Sequence, residues 1–211
     1  MRLRKKHFAI PEMKENPYVL FDAKKNKGNW NKVFGNNNDI YLEIGAGKGT
    51  FTATSALENP DKNYIMIEME TNAFVYATRK ILDNKLTNVR AIPMNAKDIL
   101  EYFDKNEISR IYINFCNPWP KLKHQKRRLT YPDFLEKYRE ILKDGSQIYL
   151  KTDDKDFFVD SLKYFEDERY ATLIFDFNMK EENYPLNIVT EYEEKWRNKK
   201  KPICLGVFEK Y

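Results

Sequence analysis

The residues of this chain able to do chemistry gather in a few short stretches. The first reads Tyr41-Leu42-Glu43-Ile44-Gly45-Ala46-Gly47-Lys48-Gly49-Thr50. The whole chain has seven glycines among 211 residues, half the usual share of ~7%, and three of them are Gly45, Gly47 and Gly49. Glycine admits φ > 0 and lets a ligand approach the backbone closely. The loop is not a P-loop, because Gly49 stands between Lys48 and Thr50 and Leu42 sits where the first glycine belongs. Nor is it a full dinucleotide fingerprint, whose last position is here Thr50. Glu43 precedes the glycines, where a carboxylate repels a pyrophosphate but suits a sulfonium or an amino group. Glu68 lies about 20 residues beyond the loop, the usual place of the carboxylate that pairs with ribose hydroxyls. Glu43, Gly45, Gly47 and Glu68 thus point to a nucleoside with an amino-acid tail and no phosphate, S-adenosylmethionine over NAD. The plainer alternative is a tight turn with two solvent-facing glutamates.

The second stretch is Asn114-Phe115-Cys116-Asn117-Pro118-Trp119-Pro120, followed at once by Lys121, Lys123, His124, Gln125, Lys126, Arg127 and Arg128. Two prolines stiffen the loop and hold the residues before them extended. An amide (Asn117) and an indole (Trp119) on a rigid loop form a wall suited to a nucleobase, through hydrogen bonding and stacking. The cations beside it suit phosphates. Trp119 as a core anchor, with the prolines as simple turn formers, is the competing reading.

The elements that must carry these loops alternate between strand-like and helix-like patterns. Segments 40–44, 64–69, 89–94, 108–115 and 147–152 read as strands. Segments 49–57, 71–82 and 132–142 read as helices, and Phe158, Leu162 and Phe165 mark another. Phe74, Ala77, Thr78, Ile81 and Leu82 form one helical face. Thr130 is a candidate cap for the helix at 132–142, Pro132 fits its first turn and Gly145 could end it. Two late strands, near 173–177 and 204–208, enclose no long periodic helix and read as an antiparallel edge pair. Such alternation predicts a doubly wound α/β sheet, mostly parallel, with ligand loops at the strand C-termini.

Composition bounds the rest. Length suggests one domain, with 1–38 a basic arm and lead-in and 39–211 the α/β core. With 14 Phe, 14 Tyr and 3 Trp the chain can bury a core despite a mean hydropathy of −0.75. No apolar run is long enough to cross a bilayer, and no apolar segment follows the basic N-terminus as in a signal peptide. Cys116 and Cys204 are too few for a disulfide scaffold and suit a reducing cytoplasm. His7 and His124 lack metal-ligand spacing, so no metal is expected. Lys and Arg number 37 against 32 Asp and Glu, a net +5. The excess gathers at Arg2, Arg4, Lys5 and Lys6, at 121–128, and at Lys195, Arg197, Lys199, Lys200 and Lys201. These are footprints for a polyanion, or simply solvated surface.

Taken together these residues resemble the bacterial tRNA (guanine-N7-)-methyltransferases, which modify a guanine at position 46 in the tRNA variable loop. The resemblance runs through Met-Arg-Leu-Arg at the N-terminus, Leu-Glu-Ile-Gly-Ala-Gly-Lys-Gly (42–49) and Ile-Glu (67–68). It continues through Asn-Pro-Trp-Pro-Lys (117–121), His-Gln-Lys-Arg-Arg-Leu (124–129), Lys-Thr-Asp (151–153) and Thr-Glu-Tyr-Glu (190–193). It implies a Rossmann-like, seven-stranded S-adenosylmethionine-dependent methyltransferase fold over 1–211. It implies cofactor contacts at Glu43, Glu68, Asn95 and Asn117. Substrate contacts are implied at Lys121, Asp153, Thr190, Glu191, Tyr192 and Glu193, with tRNA along Lys123, His124, Gln125, Lys126, Arg127 and Arg128. The family usually has Asp where this chain has Asn95 and Asn117. Asn keeps hydrogen bonding but loses charge, so Asn117 cannot act as a base.

A mechanism without a base is available. Guanine N7 carries an in-plane lone pair and no proton, so it can attack the sulfonium methyl directly when aligned. Asn117 would orient the reactants, and Asp153 would accept from guanine N1–H and the 2-amino group, stabilising the developing cation. Asp153 could also serve as a helix N-cap. A small-molecule methyltransferase on the same fold and a non-catalytic RNA-binding protein are the alternatives. The basic run speaks against the first, and intact Glu43 and Glu68 against the second. No obligate protein partner is expected, and the chain could be a monomer or a homodimer.

Overall fold

The computed structural model describes residues 6–185 and 187–211. Arg2, Arg4 and Lys5 of the N-terminal basic cluster lie outside the described residues. The chain divides into two compact units, Met1–Phe103 and Asp104–Tyr211.

The first unit is built on three parallel strands. Strands β1 (Ile40–Ile44), β2 (Asn63–Glu68) and β3 (Val89–Pro93) pair in register, Ile44 opposite Ile67 and Glu68 opposite Pro93. Their near-continuous apolar runs are what a parallel strand covered on both faces requires. Helices α3 (Thr50–Glu58) and α4 (Thr71–Asp83) link the strands as crossovers and pack on each other. On α4 Phe74, Val75, Ala77, Thr78 and Ile81 are buried, whereas Leu82, predicted inward, is 47% exposed. Leu82 lies at the azimuth of the buried face, between Thr78 and Val75, but in the last turn of α4, one residue from its end at Asp83.

The lead-in carries helices and is tied to the sheet. Helices α1 (Ala9–Glu15) and α2 (Trp30–Phe34) flank an extended stretch whose Tyr18 and Leu20 exchange backbone hydrogen bonds with Ala91, covering the outer edge of β3. Trp30 is wholly buried, donates Nε1–H to the Tyr102 carbonyl at 3.0 Å and stacks on Phe103 at 5.6 Å. A buried indole whose N–H finds an acceptor is a strong anchor.

The second unit carries β4 (Ile108–Asn114), α5 (Pro132–Ile141), β5 (Leu142–Thr152), α6 (Lys155–Asp167), β6 (Tyr170–Asp176), α7 (Glu191–Asn198) and β7 (Cys204–Lys210). Strand β4 pairs parallel with β5, while β7 lies antiparallel between β5 and β6. The seven strands follow the order β3-β2-β1-β4-β5-β7-β6. This is the mixed, doubly wound sheet with the antiparallel edge pair that the sequence predicts.

Two local readings are corrected. Thr130 does not cap α5; its hydroxyl bonds Ser161 inside the core at 2.7 Å, and Tyr131 occupies the cap position without a side-chain bond. Gly145 does not end α5 either. The helix stops at Ile141, and Gly145 (φ +72) lies within β5, where the register with β4 shifts. Between the late strands stands the short helix α7, and no long periodic one, as expected. Five of the eight residues of α7 are charged and only Glu193 in it is buried, so the apolar periodicity that reveals a helix is absent.

Candidate active site

The first unit holds the glycine loop. Between β1 and α3 the chain turns through Gly45, Gly47 and Gly49, all with positive φ. Gly45 and Ala46 donate backbone N–H to the Ile67 carbonyl, at 2.9 and 3.2 Å, tying the loop to the end of β2. Gly49 begins α3 at φ +71, and a Cβ there would stand 2.5 Å from the Ala77 Cβ. Only glycine lets α3 and α4 approach this closely. Gly47 (φ +54) differs, because a Cβ built on it meets nothing within 4 Å.

Glu68 ends β2 with its carboxylate locked by backbone. Oε2 accepts from Gly47 N–H at 3.1 Å, and Oε1 accepts from the N–H groups of Met69 and Glu70, both at 2.8 Å. A carboxylate offers about four acceptor sites, so one on Oε2 remains for a ribose hydroxyl. The loop N–H of Gly47 is therefore directed at a carboxylate, the opposite of a phosphate cradle. Glu43, in β1, is 4% exposed and accepts from the Thr52 hydroxyl at 2.6 Å. It is thus not solvent-facing, and a buried carboxylate favours a cationic partner. Asn95 follows β3 and caps the short helical turn Ala96–Glu101, its Oδ1 accepting from Lys97 N–H at 3.0 Å. That oxygen keeps a second lone pair. Two carboxylates flanking a glycine loop, with no phosphate cradle, fit a nucleoside carrying an ammonium-bearing tail.

The second unit holds the Pro-Trp loop. Phe115 (φ +50) and Trp119 (φ +44) adopt the left-handed backbone that side chains seldom take, and they bracket the bend. Asn117 is exposed, and its Oδ1 accepts from Trp119 N–H at 3.0 Å. Trp119 is not a core anchor. It is half-buried, with His124 edge-on at 5.6 Å and the Arg127 guanidinium 5.1 Å from its ring centre. Burial pushes the Cys116 thiol up to about 12, which removes it as a nucleophile.

A two-turn 3-10 helix, Leu122–Arg127, follows the loop. Lys121, Lys123, Lys126 and Arg127 are exposed around it, and His124 and Gln125 are half-buried. Arg128 stands apart from this run. It is 4% exposed, donates to the Pro118 carbonyl at 2.8 Å and to Asp160 at 2.5 Å, and faces the Phe157 ring. A guanidinium so enclosed braces the loop against α6 rather than reaching for a phosphate.

Lys151 and Thr152 close β5, and Asp153 follows it. Asp153 is not the cap of α6; Asp154 is, accepting from Phe157 N–H at 2.9 Å. Asp153 instead pairs with Lys201 at 2.5 Å and keeps 19% of its side chain exposed. Thr190 caps α7 through its hydroxyl, Glu191 and Tyr192 are exposed, and Tyr192 stacks on Phe115 at 6.3 Å and 27°. Glu193 is fully buried. Its carboxylate receives Lys151 at 2.8 Å, Asn187 at 2.8 Å, and the Arg197 guanidinium at 2.7 and 3.0 Å. Burial raises the Glu193 carboxyl, but the Lys151 charge and the hydrogen bonds from Lys151, Arg197 and Asn187 outweigh it and hold it below the usual range.

Comparison with known proteins decides the family. A family model described as "Putative methyltransferase" matches residues 37–205. The tRNA (guanine-N(7)-)-methyltransferase of Clostridium acetobutylicum is 47% identical over 196 residues, covering 93% of both chains. That of Clostridium novyi is 49% identical over 202 residues, covering 94% of each. This chain belongs to the tRNA (guanine-N7-)-methyltransferase family. Among solved structures, one titled an antibiotic-related methyltransferase superposes with a TM-score of 0.67 at 16% identity, covering 87% of this chain and 94% of that one. At that identity the likeness shows the shared methyltransferase fold.

Within this family assignment, some of the best-tied side chains escape sequence reading. Lys151 was legible in the Lys-Thr-Asp stretch of the resemblance and as a lysine ending a strand-like run, Ile148-Tyr149-Leu150-Lys151, with nothing to name its partners. Thr52 and Asn187 carry no signal, and Arg197 was legible only as one cation of the C-terminal basic cluster; all three find their carboxylate partners, Glu43 and Glu193, four to nine positions away. Among the described residues no cluster of ligating side chains could hold a metal, and no helix is long and apolar enough to cross a membrane.

Proposed function

We propose that this protein transfers the methyl group of S-adenosylmethionine to N7 of a guanine in tRNA, at position 46 in the variable loop. The observation that carries the reading is the 47% identity over 93% of both chains to a relative bearing that activity in its name. The chemistry of the two loops agrees with it.

Bound at the glycine loop, S-adenosylmethionine supplies an electrophilic sulfonium methyl. Glu68 accepts from its ribose, Asn95 from its adenine amino group, and Glu43 faces its ammonium. Guanine N7 needs no proton removed, so Asn117 does not have to act as a base; its amide orients the reactants. Asp153 accepts from guanine N1–H and the 2-amino group, and its negative charge stabilises the purine as it becomes cationic. For this Asp153 must share or release Lys201. Lys121, Lys123, Lys126 and Arg127 hold phosphates, and affinity accordingly falls with salt.

The test is incorporation of labelled methyl into an unmodified tRNA transcript, followed by nucleoside analysis. N7-methylguanosine at position 46 is the expected product. A labelled nucleoside of another kind, or none, overturns the reading.

A further inference from the structure

The Thr190–Glu193 segment contains one residue that cannot meet a substrate. Glu193 is wholly enclosed, and every oxygen of its carboxylate is engaged by protein donors. Its principal partner lies 42 positions away in the chain, at the end of β5. Lys151 is itself 5% exposed and spends its three N–H groups on Glu193 Oε2 (2.8 Å), Asn187 Oδ1 (2.9 Å) and the Ile188 carbonyl (3.0 Å). A lysine buried with all three donors satisfied is a fixed post rather than a mobile charge.

The post stands at a particular place. The Lys151 carbonyl accepts from Phe115 N–H at 2.8 Å, and its ammonium lies 6.0 Å from the Phe115 ring centre. Phe115 carries Tyr192 stacked on it. Two residues on, just past the end of β5, is Asp153. One side chain thus joins the start of the Pro-Trp loop, the strand end bearing Asp153, and the start of α7. A merely stabilising pair could sit anywhere. This one ties together three segments that bear the proposed substrate contacts.

We propose that Lys151 is a positioning residue for methyl transfer: through the buried Lys151–Glu193 pair it sets the placement of Tyr192 and Phe115 against the target guanine, and Glu193 acts only as its counter-ion. Tyr192, 55% exposed, is then the member of the segment that meets the base. The inference rests on the tRNA methylation reading above.

A double-mutant cycle tests it. Wild type, Lys151→Met, Glu193→Gln and the double variant are compared in single-turnover methyl transfer to an unmodified tRNA transcript, with tRNA and cofactor affinities measured separately. Each single variant should lose about 30-fold or more in the single-turnover rate. The double should be no slower than the worse single by more than about 3-fold, because both changes break one device. Cofactor and tRNA dissociation constants should stay within about 3-fold, since phosphate contacts dominate affinity and do not set base geometry.

Losses that multiply in the double variant would mean that Glu193 touches substrate by itself, and would overturn the proposal. So would a Lys151→Met enzyme at the wild-type rate, or a loss confined to tRNA affinity. Should Lys151→Met fail to fold, leaving the buried carboxylate short of a counter-charge, the double variant removes both charges and carries the test. Its activity at the wild-type level overturns the proposal, and a 30-fold slower rate with intact binding supports it. Absence of N7-methylguanosine from the wild-type reaction is a different failure, that of the functional reading.

Discussion

The glycine loop and the Pro-Trp loop with α7 solve the same problem by different means. In the first, backbone does the positioning. Gly47, Met69 and Glu70 N–H groups hold Glu68, and the glycines hold the turn. In the second, side chains do it across long stretches of sequence. Arg128 holds the Pro118 carbonyl from 10 residues away, and Lys151 holds Glu193 from 42. A backbone device fails when its steric freedom is removed. A side-chain device fails when its charge is removed.

The largest expected effect tests the steric side. Gly49→Ala must place a Cβ 2.5 Å from the Ala77 Cβ at φ +71. Left-handed strain of ~1–2 kcal/mol and overpacking of ~1–3 kcal/mol should together lower unfolding free energy in a urea titration. Gly47→Ala, which meets nothing within 4 Å, should lose the strain alone. Equal losses at the two positions would break the distinction between a packing glycine and a loop glycine.

Next comes the carboxylate that the loop holds. Glu68→Gln keeps the shape but loses the charge, and one face of its amide donates instead of accepting. Hydrogen bonds to charged groups contribute ~1.5–3 kcal/mol, so cofactor binding by calorimetry should weaken by about 10- to 150-fold. Unchanged affinity would remove Glu68 from the cofactor site.

Acid sharpens the comparison from the other side. The Glu193 carboxyl is lowered in the folded state from 4.5, first against the desolvation that would raise it and then by Lys151 and its other donors. Its stabilisation is therefore complete above the unfolded value and is lost as pH falls through the folded value. Urea midpoints of wild type and Glu193→Gln should converge as pH drops below 4.5. A gap between them that stays constant down to pH ~2 would show that the charge of Glu193 does no stabilising.

The smallest effect is expected at Asn117→Asp. Because N7 has no proton to lose, restoring a carboxylate should change the methyl-transfer rate by less than ~10-fold, ~1.4 kcal/mol. A gain above ~100-fold would show that a carboxylate there takes part in the chemistry.

What could be read in advance follows the same division. Strand β1, the glycine loop and Glu68 were legible because each depends on neighbours in sequence: an apolar run, a glycine cluster, a carboxylate one strand on. The antiparallel edge pair was legible from two late strands with no crossover helix pattern between them. Helix α7 was not, since its inward side chain is Glu193 rather than an apolar residue. Capping by Thr130 and by Asp153 was misplaced because Ser161 claims the one and Lys201 the other.

The sequence by itself determined the fold class, the glycine turn after β1 and the family, because apolar periodicity, glycine placement and motif spacing are properties of adjacent residues. Only the tertiary structure decided which charged residues stand exposed and which are buried in ion pairs. Arg127 and Arg128 are neighbours of identical type, yet one is exposed over Trp119 and the other buried beneath Pro118. Glu191 and Glu193 divide the same way. The counter-charges that meet most of the cost of burial, Asp160 for Arg128 and Lys151 for Glu193, are brought by folding from elsewhere in the chain, and no local pattern records them.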